Sequence, residues 1–121
     1  MMPKNTTRTG QIGEDFVCTQ LMQRGYRILD RNVREKFAEI DIIAQQEQTI
    51  CFVEVRTRTN AEWGHPAETI TPRKQRLIRR AAESWLVKRR LYHMPSRFDV
   101  ATILWDNMAF EYWENAFGQD Y

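Results

Sequence analysis

AEIDIIAQQEQTICFVEVRTR, residues 38–58, decides the fold. It holds two apolar runs, AEIDIIA (38–44) and TICFVEVRTR (49–58), separated by QQEQ (45–48). Such a short polar connection has the length of a β-hairpin loop. The near-continuous apolar start of Thr49–Thr57 predicts a central strand covered on both faces. Set into these strands are Glu39, Asp41, Glu54 and Arg56, charges that are expensive to bury. Because side chains alternate along a strand, Glu39 and Asp41 share one face of the earlier strand. Ile50, Phe52, Glu54 and Arg56 share one face of the later strand. Pairing Ala44 near Thr49 across the connection puts Glu39 opposite Glu54 and leaves Asp41 diagonal to Glu54. A bulge or longer turn would bring Asp41 directly opposite. Directly opposed side chains lie about 5 Å apart and diagonal ones about 7–8 Å.

Outward from this hairpin, residues 10–24 carry Ile12, Phe16, Val17, Leu21 and Met22 at helical spacing, with Gly25 as a C-terminal stop. Glu14 lies on the stripe of Cys18 and Leu21, either as a carboxylate turned toward the core or as a first-turn acid favoured by the helix dipole. Strands are expected over Tyr26–Val33 and Phe37–Ala44, and a loop over 59–70. Thr71 and Pro72 start a second helix as N-cap and first helical residue. Its stripe is Leu77, Ile78, Ala81, Ala82, Trp85 and Leu86, with Arg76, Arg79, Arg80 and Arg90 on the other side. FDVATILW (98–105) and Met108–Trp113 predict two further strands. The order helix-strand-strand-strand-helix-strand-strand gives an α/β domain: a mixed sheet with a three-strand antiparallel meander and flanking helices. Residues 1–9 are expected to be a flexible tail and residues 10–121 a single domain.

The chain has 121 residues, 42% hydrophobic and 28% charged, the composition of an ordinary globular domain. No apolar run approaches the roughly 20 residues of a membrane span, and MMPKNTTRT lacks the apolar segment of a secretory signal. Cys18 and Cys51 fall in helix and strand patterns, so a cytoplasmic protein with two reduced core thiols is expected. Net charge is only +2, but Lys and Arg crowd residues 31–90 and none follows Arg97. That asymmetry suits a phosphate-facing side as well as it suits a solvated mixed-charge face. Arg34, Arg58, Arg73, Lys74 and Arg76 are the candidates for nucleic-acid contact.

Asp41 and Glu54 on neighbouring strands can grip one divalent cation. Phosphodiester cleavage needs a water nucleophile and relief of charge on the transition state, and Mg²⁺ or Mn²⁺ held by one or two carboxylates supplies both. A nearby cationic side chain steadies the phosphate. Glu14 could add an outer contact or a second ion. The same residues also fit a ladder of structural ion pairs, Glu54 with one arginine and Asp41 with another, and spacing does not separate the two.

Taken together the motifs are more specific than any one of them. Gly10-x-x-Gly13-Glu14, Gly25-Tyr26-x-Ile28-Leu29-x-x-Asn32, Glu39-Ile40-Asp41-Ile42-Ile43, Phe52-Val53-Glu54-Val55-Arg56-x-Arg58, Thr71-Pro72-Arg73-Lys74-Gln75, Arg97-Phe98-Asp99-Val100 and Asn115-Ala116-Phe117 follow in order. This pattern resembles the YraN-like family of small bacterial proteins from Gly10 to Phe117. That family is similar to archaeal Holliday-junction resolvases, in the restriction-endonuclease-like PD-(D/E)XK superfamily. The resemblance implies a metal-dependent endonuclease acting on structured or branched DNA, with Mg²⁺ or Mn²⁺ as cofactor. It maps the superfamily acids onto Glu14, Asp41 and Glu54, as catalytic residues and metal ligands. It also carries over Arg56, where the superfamily most often has lysine, and Gln75 as the helix glutamine. By analogy with junction resolvases it implies a homodimer.

Two departures stand out. Ala38 replaces the usual glycine before Glu39-Ile40-Asp41. Arg56 replaces lysine, and a guanidinium that stays protonated cannot serve as a general base. Lys74 leans toward the packed side of the second helix and is a candidate substitute. Arg56 motivates an alternative, a catalytically inactive nucleic-acid-binding module on the same fold. A structural or adaptor protein is the third reading. Elsewhere, His65 and His93 lack zinc-ligand spacing. Trp85 belongs to the core stripe and Trp63 is the one tryptophan suited to stacking on a base. Asp99 is expected to pair with Arg97 or another arginine in a structural role.

Overall fold

The computed structural model describes residues 6–58 and 70–117, with side chains from Gly10 onward in the first helix. In chain order the elements are α1 (Thr6–Gln23), β1 (Arg27–Arg34), β2 (Glu39–Gln46), β3 (Thr49–Arg58), α2 (Pro72–Lys88), β4 (Ser96–Leu104) and β5 (Ala109–Trp113). They build one five-stranded sheet in the order β1-β2-β3-β4-β5. β3 and β4 run parallel, and every other neighbouring pair is antiparallel. This is the expected α/β element order and mixed sheet, with β3 at the centre.

The sheet is wrapped on both faces. Val17, Cys18 and Leu21 of α1 pack with Ile42, Ala44, Cys51, Val53, Ala101 and Ile103 on one side. Ile78, Ala81, Ala82, Trp85 and Leu86 of α2 pack with Ile43, Ile50, Phe52, Phe98 and Val100 on the other. Each large aliphatic or aromatic chain so buried contributes about 1.5–3 kcal/mol. Double coverage is why β3 runs Ile50-Cys51-Phe52-Val53 without a polar break.

α1 begins at Thr6, four residues before the expected start, so part of the expected tail is helical. It ends at a paired C-terminal cap. Gly25 takes φ +90°, its N–H donates to the Met22 carbonyl, and the Tyr26 N–H donates to Leu21. α2 begins as expected: the Lys74 N–H donates to the Thr71 hydroxyl at 3.1 Å, ahead of Pro72. Its C-terminus repeats the cap of α1 with Arg90 at φ 58° in the glycine position.

The hairpin is tighter than its polar connection suggested. Gln45 and Gln46 extend β2 and pair with Ile50 and Thr49, leaving a two-residue turn with Glu47 at φ 53°. Ala44 therefore pairs with Cys51, not Thr49. That two-residue shift corrects the expected site register: Ile42 pairs with Val53, and one step further along, Asp41 faces Glu54.

Candidate active site

Asp41 and Glu54 meet where the β2–β3 ladder gives way. The last cross-strand pair is Ile42 with Val53. Beyond it the Asp41 carboxylate takes over the backbone's role, and its Oδ2 accepts a hydrogen bond from the Val55 N–H at 2.8 Å. Glu54 stands on the α2 side of β3, only 4% exposed. Its Oε1 is buried with no hydrogen-bond partner, while Oε2 lies 3.8 Å from Lys74 Nζ. Lys74 reaches it from the first turn of α2, where the Thr71 cap anchors the helix start. Among the described residues neither acid is seen in an ion pair with an arginine, so the alternative of a ladder of acid–arginine pairs finds no support there.

These acids border an open cleft of about 450 Å³, lined by Phe37, Ala38, Glu39, Asp41, Glu54, Thr71, Arg73, Lys74 and Leu77. Burial pushes the Glu54 carboxyl up to about 8, the Asp41 charge adds to the rise, and Lys74 and Arg56 oppose it. Burial also raises Asp41, against the Val55 hydrogen bond and the Lys74 charge. Burial is the larger cause of both rises, and for Glu54 the neighbouring Asp41 charge adds to it.

Glu14 approaches from α1. Adding a Cβ at Gly13 would place it 3.1 Å from Thr57 Cγ2, so the missing side chain lets the helix lie close on β3. Glu14 is 8% exposed, and its Oε1 has no hydrogen-bond partner. Burial and the Asp41 charge raise its pKa, while Asn32 and Arg31 pull the other way. It lies in the third turn of its helix, which removes the helix-dipole explanation. Arg31 NH2 sits 3.6 Å from it. Among the described residues, no three His, Cys, Asp or Glu side chains come close enough to hold a metal by themselves. The expected three-acid set thus separates into the facing pair Asp41 and Glu54, and Glu14 beside Arg31. The pair still fits Mg²⁺ or Mn²⁺. Mg²⁺ commonly takes one or two carboxylates and keeps its remaining waters, and the orphaned Glu54 Oε1 is a ready ligand.

The other candidates divide. Arg73 and Lys74 line the cleft. Arg76 is exposed on the same helix, and Arg34 is exposed but engaged by Glu39 at 3.0 Å. Arg58 is 6% exposed, which removes it from any open phosphate-facing surface. Arg56 is half-buried and acts on the two acids through its charge, but does not line the cleft, so the cleft's cations come from α2. Gln75 is not part of the cleft lining: its Nε2 donates to the Ile70 carbonyl at 2.9 Å and secures the entry to α2. Ala38 is tolerated for a plain reason, since its φ is not in the left-handed region. His65 and Trp63 lie outside the described residues. His93 is exposed, and both cysteines are buried and free.

Sequence reasoning missed Asn32, Phe37 and Leu77. Asn32 at φ 49° sits in β1 between the paired residues Arg31 and Val33, and its side chain pulls the Glu14 pKa down. Asparagine's tolerance of that conformation was the available signal. Phe37 and Leu77 gave none, because an apolar residue beside a strand or on a helix stripe reads as core.

The fold and cleft define a small α/β protein with a five-stranded mixed sheet, two helices and an acidic pair at the end of the β-hairpin ladder. Residues 13–103 match the uncharacterised protein family UPF0102, and the chain belongs to that family. Among similar proteins is a UPF0102 protein of Chlorobium phaeobacteroides, 46% identical over 82% of this chain and 78% of its own. A UPF0102 protein of Geotalea uraniireducens is 48% identical over 78% of this chain and 75% of its own. One of Pelobacter propionicus is 44% identical over 84% and 78%. Among the described residues no helix is long and apolar enough to cross a membrane.

Proposed function

We infer that this protein is a metal-dependent endonuclease of the Holliday-junction-resolvase-like type, on a restriction-endonuclease-like fold, hydrolysing phosphodiester bonds in structured or branched DNA. The observation that carries this reading is the facing pair of acids, buried Glu54 and half-buried Asp41, at an open cleft whose cationic lining comes from α2. Asp41 and Glu54 would hold Mg²⁺ or Mn²⁺, which when bound activates water and relieves charge on the phosphate. The chain's own residues do the rest. Val55 N–H aims the Asp41 carboxylate. Lys74 Nζ, 3.8 Å from Glu54, is placed to move onto a phosphate oxygen entering the cleft. Arg73 at the rim draws the backbone in. Glu14 stands apart from the pair, its own pKa raised by burial and by the Asp41 charge.

Purified protein is expected to cut flap or junction DNA in Mg²⁺ or Mn²⁺, with Asp41→Ala reducing the rate at least about 10²-fold. Cleavage that persists in Asp41→Ala removes this reading. A nucleic-acid-binding module without catalysis remains the second reading, favoured by Arg56, whose Nε is buried without a hydrogen-bond partner. It predicts salt-sensitive binding that survives Glu54→Gln, with no turnover by the wild type.

A further inference from the structure

Phe37 belongs to two clefts. It lines the acidic one, and it also lines a second cleft of about 390 Å³ with Arg80, Glu83, Ser84, Val87 and Lys88. The Arg80 guanidinium lies over the Phe37 ring, 3.8 Å from its centroid. The ring is half-buried and Arg80 is exposed. Nothing in the packing of the sheet uses this pair, since neither residue belongs to the two core clusters. The other cation of the second cleft is already satisfied: Lys88 Nζ binds Glu35 Oε1 at 2.9 Å, and the Ser84 hydroxyl donates to the same oxygen. Among the described residues Arg80 has no carboxylate partner and it is exposed, so its charge is available.

We propose that the stacked Phe37–Arg80 pair is a platform for one unpaired nucleobase, next along the strand from the phosphate held in the acidic cleft. This rests on the nuclease reading and adds a substrate requirement: an unpaired nucleotide beside the cut. A guanidinium seated over an aromatic ring presents a cationic surface, and bases stack on arginine planes as on aromatic rings. The base becomes the third layer, and the positive charge attracts the flanking phosphate. A base inside an intact duplex has both faces covered by its neighbours and would have to be unstacked first. An unpaired base in a single strand, a flap or a junction arm does not. Phe37 is the element common to both clefts, so phosphate and base subsites are adjacent along one backbone.

The test is binding without divalent ions, in EDTA, by fluorescence anisotropy. The probes are single-stranded DNA, single-stranded RNA and blunt duplex of equal length, with 2-aminopurine in the single strand reporting stacking. Phe37→Leu and Arg80→Lys are expected to weaken single-strand binding by about 5- to 150-fold, the range for losing one stacked base. Duplex binding should be unchanged. Phe37→Tyr should retain binding and 2-aminopurine quenching. Arg80→Lys should lose quenching while keeping the salt dependence, because its charge remains. Unchanged melting temperatures of Phe37→Tyr and Arg80→Lys exclude misfolding. Wild-type single-strand binding preserved in Phe37→Leu overturns the proposal. So do equal losses on single strand and duplex, which would mark a general basic surface. If the wild type cuts junctions but these variants bind normally, only the platform falls. If it neither binds nor cuts any nucleic acid, the nuclease reading falls with it.

Discussion

Asp99 and Glu54 are two buried acids on neighbouring strands, and they have opposite fates. Val53 pairs with Asp99 and Glu54 with Val100, so the acids are one step apart in register and on opposite faces of the sheet. Asp99 is fully buried and fully served. Both its oxygens accept from Arg97 Nε at 3.0 Å, Oδ2 from the Tyr112 hydroxyl at 2.6 Å and Oδ1 from the Asn115 N–H at 2.9 Å. Arg97 also donates to the Tyr26 hydroxyl at 2.8 Å, tying α1's exit to β4 and the segment after β5. Glu54 has one lysine at 3.8 Å, an orphaned oxygen and a second acid in front of it. Equal burial therefore carries opposite meanings. A buried acid with all its partners is architecture, and one with an orphaned oxygen beside a second acid is the candidate for chemistry.

Three measurements can break or sharpen that contrast. Asp99→Ala should cost the most, about 3–5 kcal/mol by urea unfolding, because Arg97 and Tyr112 lose their buried partner. A loss under about 1 kcal/mol would mean that solvent or a neighbour replaces the carboxylate. Glu54 should behave in the opposite sense. Its folded pKa of about 8 stands above the ordinary 4.5, so the folded state holds its proton more tightly. Without metal, stability should fall as pH rises from about 4.5 to 8, by at most about 1.4 kcal/mol per unit for this group. Glu54→Gln should flatten that slope, and Mn²⁺ should raise the wild-type melting temperature near pH 8 but not that of Asp41→Asn. A wild-type profile that rises over the same interval would show the acids already neutralised. The smallest effect is expected from Gly13→Ala. Helix propensity favours alanine by about 1 kcal/mol, but the new methyl at 3.1 Å presses on Thr57, a stiff β-branched chain on the central strand. A net loss of up to about 1 kcal/mol, with a larger loss of cleavage through displacement of Glu14, should appear in parallel denaturation and rate measurements.

Much of the fold was legible because its signals are local. The Thr71-Pro72 start, the Gly25 stop, the apolar stripe of α2 and the unbroken run of β3 each follow from the conformational preferences of a few adjacent residues. Asp99 with Arg97 was legible too, since residues two apart on one strand face the same way. The register of the site hairpin was not. Gln45 and Gln46 look like loop by composition, yet they pair because the two-residue turn at Glu47 allows it. Arg58 looked like a phosphate contact and is buried at the end of β3, past the half-buried Val55, Arg56 and Thr57. Gln75 carried the motif's position but serves the backbone of Ile70.

The order of elements, the double-sided core and the identity of the acids were determined by the chain itself, because periodicity and capping act over a few residues. Which acids face each other, which one Lys74 approaches, and the separation of Glu14 from the pair were decided only by tertiary structure. Those outcomes turn on a two-residue difference in strand pairing and on how closely two helices settle onto the sheet. Both are set by packing between segments far apart in sequence.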